Sequence, residues 1–130
     1  MLRNNFLLYN LFKKYERGRI IINYFEDKYG KREKTYRRSY YIDNVLLTKL
    51  EELSKIYRAK VPDFINDSAE LLIKSENIEV YDRGKNELSL KYTVLVRESV
   101  LQGLDDLSQR YGISLSKLVN IALRNMLNEK

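Results

Sequence analysis

Moved along itself by 54 residues, this chain falls into register with itself, so that LEELSKIY at 50–57 lies over LDDLSQRY at 104–111. The alignment pairs Leu47 with Leu101, Leu50 with Leu104, Leu53 with Leu107, Ser54 with Ser108, Tyr57 with Tyr111 and Asn66 with Asn120. These six are the only identities among the thirty-nine pairs from Arg37/Lys91 to Ser75/Glu129, yet conservative pairs keep the same beat around them. Ile42/Val96, Leu46/Val100, Val61/Leu115, Phe64/Leu118, Ile65/Val119 and Ile73/Leu127 preserve apolar character, and Glu51/Asp105 and Glu52/Asp106 preserve charge. A pattern kept more faithfully than its letters is what two copies of one structural unit retain when they share a core. At 130 residues the chain suits one ordinary domain, or two small units with a common core, and not two independent cores.

The second copy is the clearer one. KYTVLVRES alternates Tyr92, Val94 and Val96 on one face with Lys91, Thr93, Leu95 and Arg97 on the other, which predicts a strand with one core face. Ser99 is placed to cap a helix carrying Leu101, Leu104, Leu107 and Tyr111, ended by Gly112. Ser114 is placed to cap a second helix whose apolar stripe is Leu115, Leu118, Val119, Ala122, Leu123, Met126 and Leu127. In the first copy Arg37 to Ile42 forms the strand, with Tyr40 and Ile42 inward and Arg37, Ser39 and Tyr41 outward. Asp43 or Asn44 caps a helix bearing Leu46, Leu47, Leu50, Leu53 and Tyr57; a turn without glycine, RAKVPDF, leads to a helix through Phe64, Ile65, Ala69, Leu71, Leu72 and Ile73. Pro62 suits the first turn of that helix and no later position.

Neither copy satisfies itself, because a lone strand leaves its backbone groups unpaired and two short helices leave their stripes exposed. Pairing the two strands antiparallel over four helices satisfies both. The expected fold is therefore mostly α with a short antiparallel β-ribbon, an intramolecular pseudo-dimer of two strand-helix-helix copies at 35–75 and 90–130. The linker at 76–89, fourteen residues reaching about 45 Å when extended, is long enough to return the chain to the partner strand, and its RGKN hints at a hairpin. Residues 1–34 read as an amphipathic, basic extension, and the near-helical spacing of Leu2, Phe6, Leu8, Tyr9, Phe12 and Tyr15 predicts an N-terminal helix. Packing on the core, contact with another copy or a partner protein, and a basic arm on nucleic acid all compete as uses for it.

Without Cys or His the chain has no disulfide framework, thiol nucleophile, imidazole base or ordinary zinc site, so neither catalysis nor a metal or other cofactor is expected. No signal peptide or membrane span is legible, since the aliphatic run Ile20-Ile21-Ile22 is short and flanked by charge, and a cytoplasmic protein is expected. The net charge of +6 is uneven. Residues 1–42 hold eleven Lys/Arg and four Asp/Glu, a net of +7, whereas 43–130 hold thirteen and fourteen, a net of −1. The basic run KREKTYRRSYY, with Lys31, Arg32, Lys34 and Arg38, leads directly into the first strand. Charge runs are usually solvated faces; this one abuts a strand whose outward face is itself basic.

RESVLQGLDDLSQRYGISLSKLVNIALRNML resembles the ribbon-helix-helix family of DNA-binding proteins: an alternating strand, an E-S-V-L helix start, a Y-G-I-S-L-S turn and a second helix with an Ala122-Leu123 pair. The likeness covers 90–127 well and 36–74 through its match to the second copy, and it does not reach 1–30. It implies a ribbon lying in the major groove, with base edges read by Arg37, Ser39 and Tyr41 from one strand and Lys91, Thr93 and Leu95 from the other. It further implies phosphate anchoring at the second-helix N-termini by Ser114, Ser116 and Lys117, with Lys60 the counterpart in the first copy. There the first copy departs from the pattern, because Pro62 has no N–H and Asp63 repels phosphate. The function so implied is that of a sequence-specific double-stranded-DNA-binding protein, a repressor or a plasmid or viral DNA-maintenance factor. The alternative is a protein-interaction module, antitoxin-like or a segregation adaptor, that binds its partner protein through the N-terminal helix.

Overall fold

In the computed structural model, which describes residues 33–83 and 87–127, six elements follow the chain. They are β1 (Thr35–Asp43), α1 (Asn44–Tyr57), α2 (Val61–Ser75), β2 (Ser89–Arg97), α3 (Glu98–Tyr111) and α4 (Leu115–Leu127). The order strand, helix, helix thus occurs twice, with β1 longer at both ends than the expected Arg37–Ile42. The expected N-terminal helix lies outside the described residues, as do Lys31 and Arg32. The described parts of the linker, 76–83 and 87–88, form neither helix nor strand, and the RGKN positions 84–86 are outside the description.

β1 and β2 pair antiparallel within the one chain as a two-stranded sheet, from Thr35↔Arg97 to Asp43↔Ser89. The register places Ser39 directly opposite Thr93, which are also partners in the 54-residue alignment. A local two-fold therefore passes between these two residues, and every other aligned pair of the strands sits at mirrored distances from it. The end contacts obey the same relation: Asn44 N–H donates to Leu88 O at 2.8 Å and Glu98 N–H donates to Lys34 O at 2.9 Å.

Strand alternation sends Tyr40, Ile42, Val94 and Val96 into a core shared by all four helices. Leu46, Leu47 and Leu50 of α1 join it with Ile65, Ala69 and Leu72 of α2, Val100, Leu104 and Leu107 of α3, and Leu118, Val119, Ile121, Ala122 and Leu123 of α4. The second helices α2 and α4 pack against each other, and each lies on the strand of the opposite half, α4 on β1 and α2 on β2. One apolar interior thus serves both halves.

Some expected positions fall elsewhere. Tyr57 and Tyr111 are the last residues of their helices and stand exposed, Tyr111 donating its hydroxyl to Glu76 at 3.2 Å. Leu71 and Met126 are also exposed, because the buried arcs of α2 and α4 turn toward the ribbon and take in Asn66, Asn120, Ile121 and Arg124 instead. Ser99 is inside α3 and not its cap, for the helix starts two residues earlier than that cap implies, at Glu98. Asp43 precedes α1 but caps nothing, its carboxylate being drawn to Arg124.

The glycine missing from the first helix-helix turn is replaced without a change of backbone. Arg58 ends α1 with φ +53° and Gly112 ends α3 with φ +63°, both left-handed. An L side chain in that region costs about 1 kcal/mol that glycine avoids. Arg58→Gly should therefore raise unfolding stability by roughly 0.5–1 kcal/mol, and Gly112→Ala should lower it by about 1–2 kcal/mol, in chemical denaturation.

The core also holds a defect. The buried Tyr40 hydroxyl has no hydrogen-bond partner among the described residues, and burial pushes its pKa above the ordinary tyrosine value. Tyr40→Phe should leave the fold intact and add about 1 kcal/mol, because it removes an unsatisfied buried polar group. The unfolded chain loses this proton first, so wild-type stability declines as pH rises through the tyrosine range, and Tyr40→Phe should flatten that decline in alkaline melts.

Candidate nucleic-acid interface

The solvent face of the ribbon is built from the outward positions of the strands. Arg37, Ser39, Tyr41, Lys91, Thr93 and Leu95 are all exposed, and the register sets them as three cross-strand pairs: Arg37 beside Leu95, Ser39 beside Thr93, Tyr41 beside Lys91. Ser39 Oγ and Thr93 Oγ1 are 2.8 Å apart, a hydroxyl pair at the centre of the face. Each end presents one cation next to one apolar or aromatic side chain, and none of the six residues is acidic. The face is about 13 Å long at the rise of an extended strand. Leu95 and Tyr41, at 52% and 58% exposure, are large apolar groups held in solvent at equivalent positions of the two strands.

Two buried asparagines hold this ribbon onto the helices. Asn120, on α4, donates from Nδ2 to Tyr41 O at 2.9 Å and to Ser116 O at 2.8 Å, while its Oδ1 accepts the Asp43 N–H at 2.8 Å. Asn66, on α2, makes the same three bonds 54 residues earlier: Nδ2 to Leu95 O and to Pro62 O, both at 2.9 Å, and Oδ1 from the Arg97 N–H at 3.0 Å. Each amide thus serves the outer edge of the strand from the other half, where no third strand exists to satisfy it. It also ties the first turn of its own helix to that strand, which fixes the helix N-terminus relative to the ribbon face. The sequence had marked both residues, as an identity within an apolar stripe, without showing what they bind.

The helix N-termini that flank the face are unlike. At α4, Ser114 Oγ accepts the Lys117 N–H at 3.2 Å, an N-cap that leaves the Leu115 and Ser116 N–H groups without partners among the described residues. Ser116 Oγ accepts the Tyr41 N–H at 3.0 Å, so its own hydrogen is available to donate outward. Lys117 is exposed beside them. A cleft of about 290 Å³ opens here, lined by Tyr41, Asp43, Ser114, Ser116 and Lys117 and closed on the linker side by Tyr81 and by Arg83, which pairs with the Asp43 carboxylate at 3.3 Å. The sequence reading did not place Tyr81 or Arg83 at the site, since linker composition says nothing of where a linker runs.

At α2 the equivalent cleft is lined by Arg37, Lys60, Pro62, Asp63, Asn66, Asp67, Leu95 and Arg97. Pro62 has no N–H, and the Asp63 N–H is taken by Lys60 O at 3.0 Å. Asp63 turns its carboxylate back on the Lys60 N–H at 3.4 Å, so a negative charge already occupies the N-terminus of this helix. Lys60 is exposed at its edge. Of the two ends, α4 offers two backbone donors, hydroxyls and a lysine, whereas α2 offers Lys60 and its own anion, Asp63.

Of the basic run, Lys34 precedes β1 and is tied by its carbonyl to Glu98, and Arg38 lies within β1. Arg38 does not belong to an arm. Strand alternation puts it on the face opposite the six outward residues, where its guanidinium stacks 5.7 Å from the Tyr36 ring centroid and donates to Arg37 O at 2.9 Å. Among the described residues no helix is long and apolar enough to cross a membrane, and no cluster of acidic side chains is arranged to hold a metal ion. No family model, no curated protein and no solved structure matches this chain.

The asparagine clamps carry a stability prediction. Replacing Asn66 or Asn120 by Ala removes three hydrogen bonds and leaves strand N–H and C=O groups unpaired, so each variant should lose about 2–4 kcal/mol in denaturant unfolding. Amide exchange should accelerate at Asp43 in Asn120→Ala and at Arg97 in Asn66→Ala, each on the strand opposite the mutated half.

Proposed function

We propose that this chain is a double-stranded-DNA-binding protein of the ribbon-helix-helix kind, with both copies on one polypeptide, acting by occupancy as a repressor or as a plasmid or viral DNA-maintenance factor. The observation that carries the reading is the juxtaposition of an exposed ribbon face whose six outward residues include no acid with a helix N-terminus rich in donors at its edge. A two-stranded ribbon fits the major groove, where each base pair presents a distinct set of donors, acceptors and methyl groups. Arg37 and Lys91 supply cationic donors for guanine edges, Ser39 and Thr93 supply hydroxyls, and Leu95 supplies an apolar contact for a thymine methyl group. Tyr41 adds a ring and a hydroxyl at the opposite corner from Leu95.

Anchoring is distinct from reading. The Leu115 and Ser116 N–H groups, the Ser116 hydroxyl and Lys117 suit a backbone phosphate oxygen, and such contacts fix orientation without specifying sequence. Lys60 supplies a weaker second anchor, opposed by Asp63. Because the two strands carry different readers and the two ends grip unequally, the recognition unit is a short site with unlike halves. A symmetric dimer of one strand type would instead select a palindrome.

Selection from random duplex DNA should enrich a short non-palindromic sequence, with the full-length protein sedimenting as a monomer before DNA is added. Absence of enrichment at moderate salt, together with salt-insensitive binding of another macromolecule, would transfer the reading to a protein-interaction module. Log affinity should fall linearly with log salt concentration, and Lys117→Ala should reduce that slope by about 0.9 while weakening specific and nonspecific duplexes alike. Thr93→Val should change the selected sequence and leave the slope alone. Asp63→Asn should tighten binding several-fold, by removing the anion from the weaker anchor.

A further inference from the structure

The last residue of each strand makes an ion pair with the second helix of the other half, and the two pairs have opposite polarity. Asp43, ending β1, meets Arg124 of α4 at 2.9 Å; Arg97, ending β2, meets Glu70 of α2 at 2.8 Å and Asp67 at 3.1 Å. Asp43 and Arg97 are aligned positions, and so are Glu70 and Arg124. At one place in the scaffold, therefore, the acid stands on the strand and the base on the helix, and at the other the reverse. The hydrogen bonds of Asn66 and Asn120 match across the halves, so the backbone geometry here is common while the sign and the burial of the pair differ.

Consider the ribbons this scaffold permits in principle. If two first halves from different chains paired, Asp43 would face the Glu70 and Asp67 of its mate, acid against acid. Two second halves would bring Arg97 against Arg124, base against base. Only a first half with a second half places opposite charges at both ends. The Asp43 end is also buried, with Asp43 at 1% and Arg124 at 8% side-chain exposure, so a like-charged substitute there has no solvent to relieve it. Its surroundings reinforce the sign. Ser89 Oγ and the Tyr81 hydroxyl donate to Asp43 at 3.0 and 3.4 Å, Arg83 lies 3.3 Å away, and Arg124 also meets Glu87 at 2.6 Å.

We propose that these inverted ion pairs are a pairing code, by which each half of this chain accepts only the opposite half as its ribbon partner, from its own chain or from a second copy. The code excludes both like-half ribbons, so that every ribbon the protein forms displays one strand of each kind. It stands on the packing of strand ends against helices and is independent of whether the ribbon's outer face touches DNA.

The test uses the full-length chain. In Asp43→Arg/Arg97→Asp the opposite-half contacts become like-charged while the same-half contacts become complementary; in Asp43→Ala/Arg97→Ala attraction is removed and no repulsion is added. Sedimentation equilibrium across a hundredfold range of concentration, with thermal melts of each variant, is the measurement. The neutral variant should remain a folded monomer that melts below wild type. The reversed variant should lose the monomer, either by forming dimers that grow with concentration or by melting well below the neutral variant. A reversed variant that stays monomeric and melts at or above the neutral one would overturn the code, as would a neutral variant that is as unstable as the reversed one.

Discussion

The amides of Asn66 and Asn120 are the contacts on which this architecture turns. A two-stranded sheet has two free edges, and an isolated ribbon of this length is marginal in water. Each asparagine supplies the missing donor and acceptor at one edge, from a helix that belongs to the other strand's half. The strands cannot leave the helices without exposing four backbone groups, and the helices cannot rotate without breaking the amide's bond to their own first turn. Packing of α2 and α4 against opposite strands then follows, because the clamps cross the molecule.

On this common scaffold the side chains diverge where they reach solvent. The central Ser39–Thr93 pair nearly preserves the two-fold, but the flanking pairs and the helix N-termini do not. Pro62 in place of Ser116 and Asp63 in place of Lys117 convert one donor-rich terminus into a self-satisfied one. Apolar interior positions must match a partner across a shared core, so their chemistry is held together, whereas the charged strand ends Asp43 and Arg97 differ in sign; exterior positions answer to nothing inside the fold and are free to differ. Different side chains on the exposed face thus stand over an apolar core that is alike in both halves.

The linker contributes more than length. Tyr81, Arg83 and Glu87 gather at the Asp43 end, where the Arg124 guanidinium lies 3.8 Å from the Tyr81 ring centroid and also meets Glu87. Burial dominates the upward shift of the Tyr81 pKa, with Asp43 adding to it. The ion pair at the Arg97 end is the more exposed of the two. The connection between the halves therefore packs at the Asp43 end of the ribbon, beside the N-terminus of α4.

The sequence by itself determined the elements and their pairing, since strand alternation, helical stripes and a 54-residue self-match are local or periodic signals. Arg37, Ser39, Tyr41, Lys91, Thr93 and Leu95 could be assigned to one face for the same reason: side-chain direction along a strand follows from parity alone. Ser114 as a cap was equally legible. What only the tertiary structure decided were matters between distant segments. Asp43 read as a helix cap because capping is a local habit of aspartate, and its carboxylate was claimed instead by an arginine 81 residues away. Arg38, read as part of a basic run, had its face set by the same parity, and the structure added what it meets there, the Tyr36 ring. Asn66 and Asn120 were visible as a match and mute as to partner, and the opposite signs of Asp43–Arg124 and Arg97–Glu70 acquired meaning only once each strand end lay against the other half's helix. Periodicity reports which way a side chain points, and only the packed chain reports what it meets there.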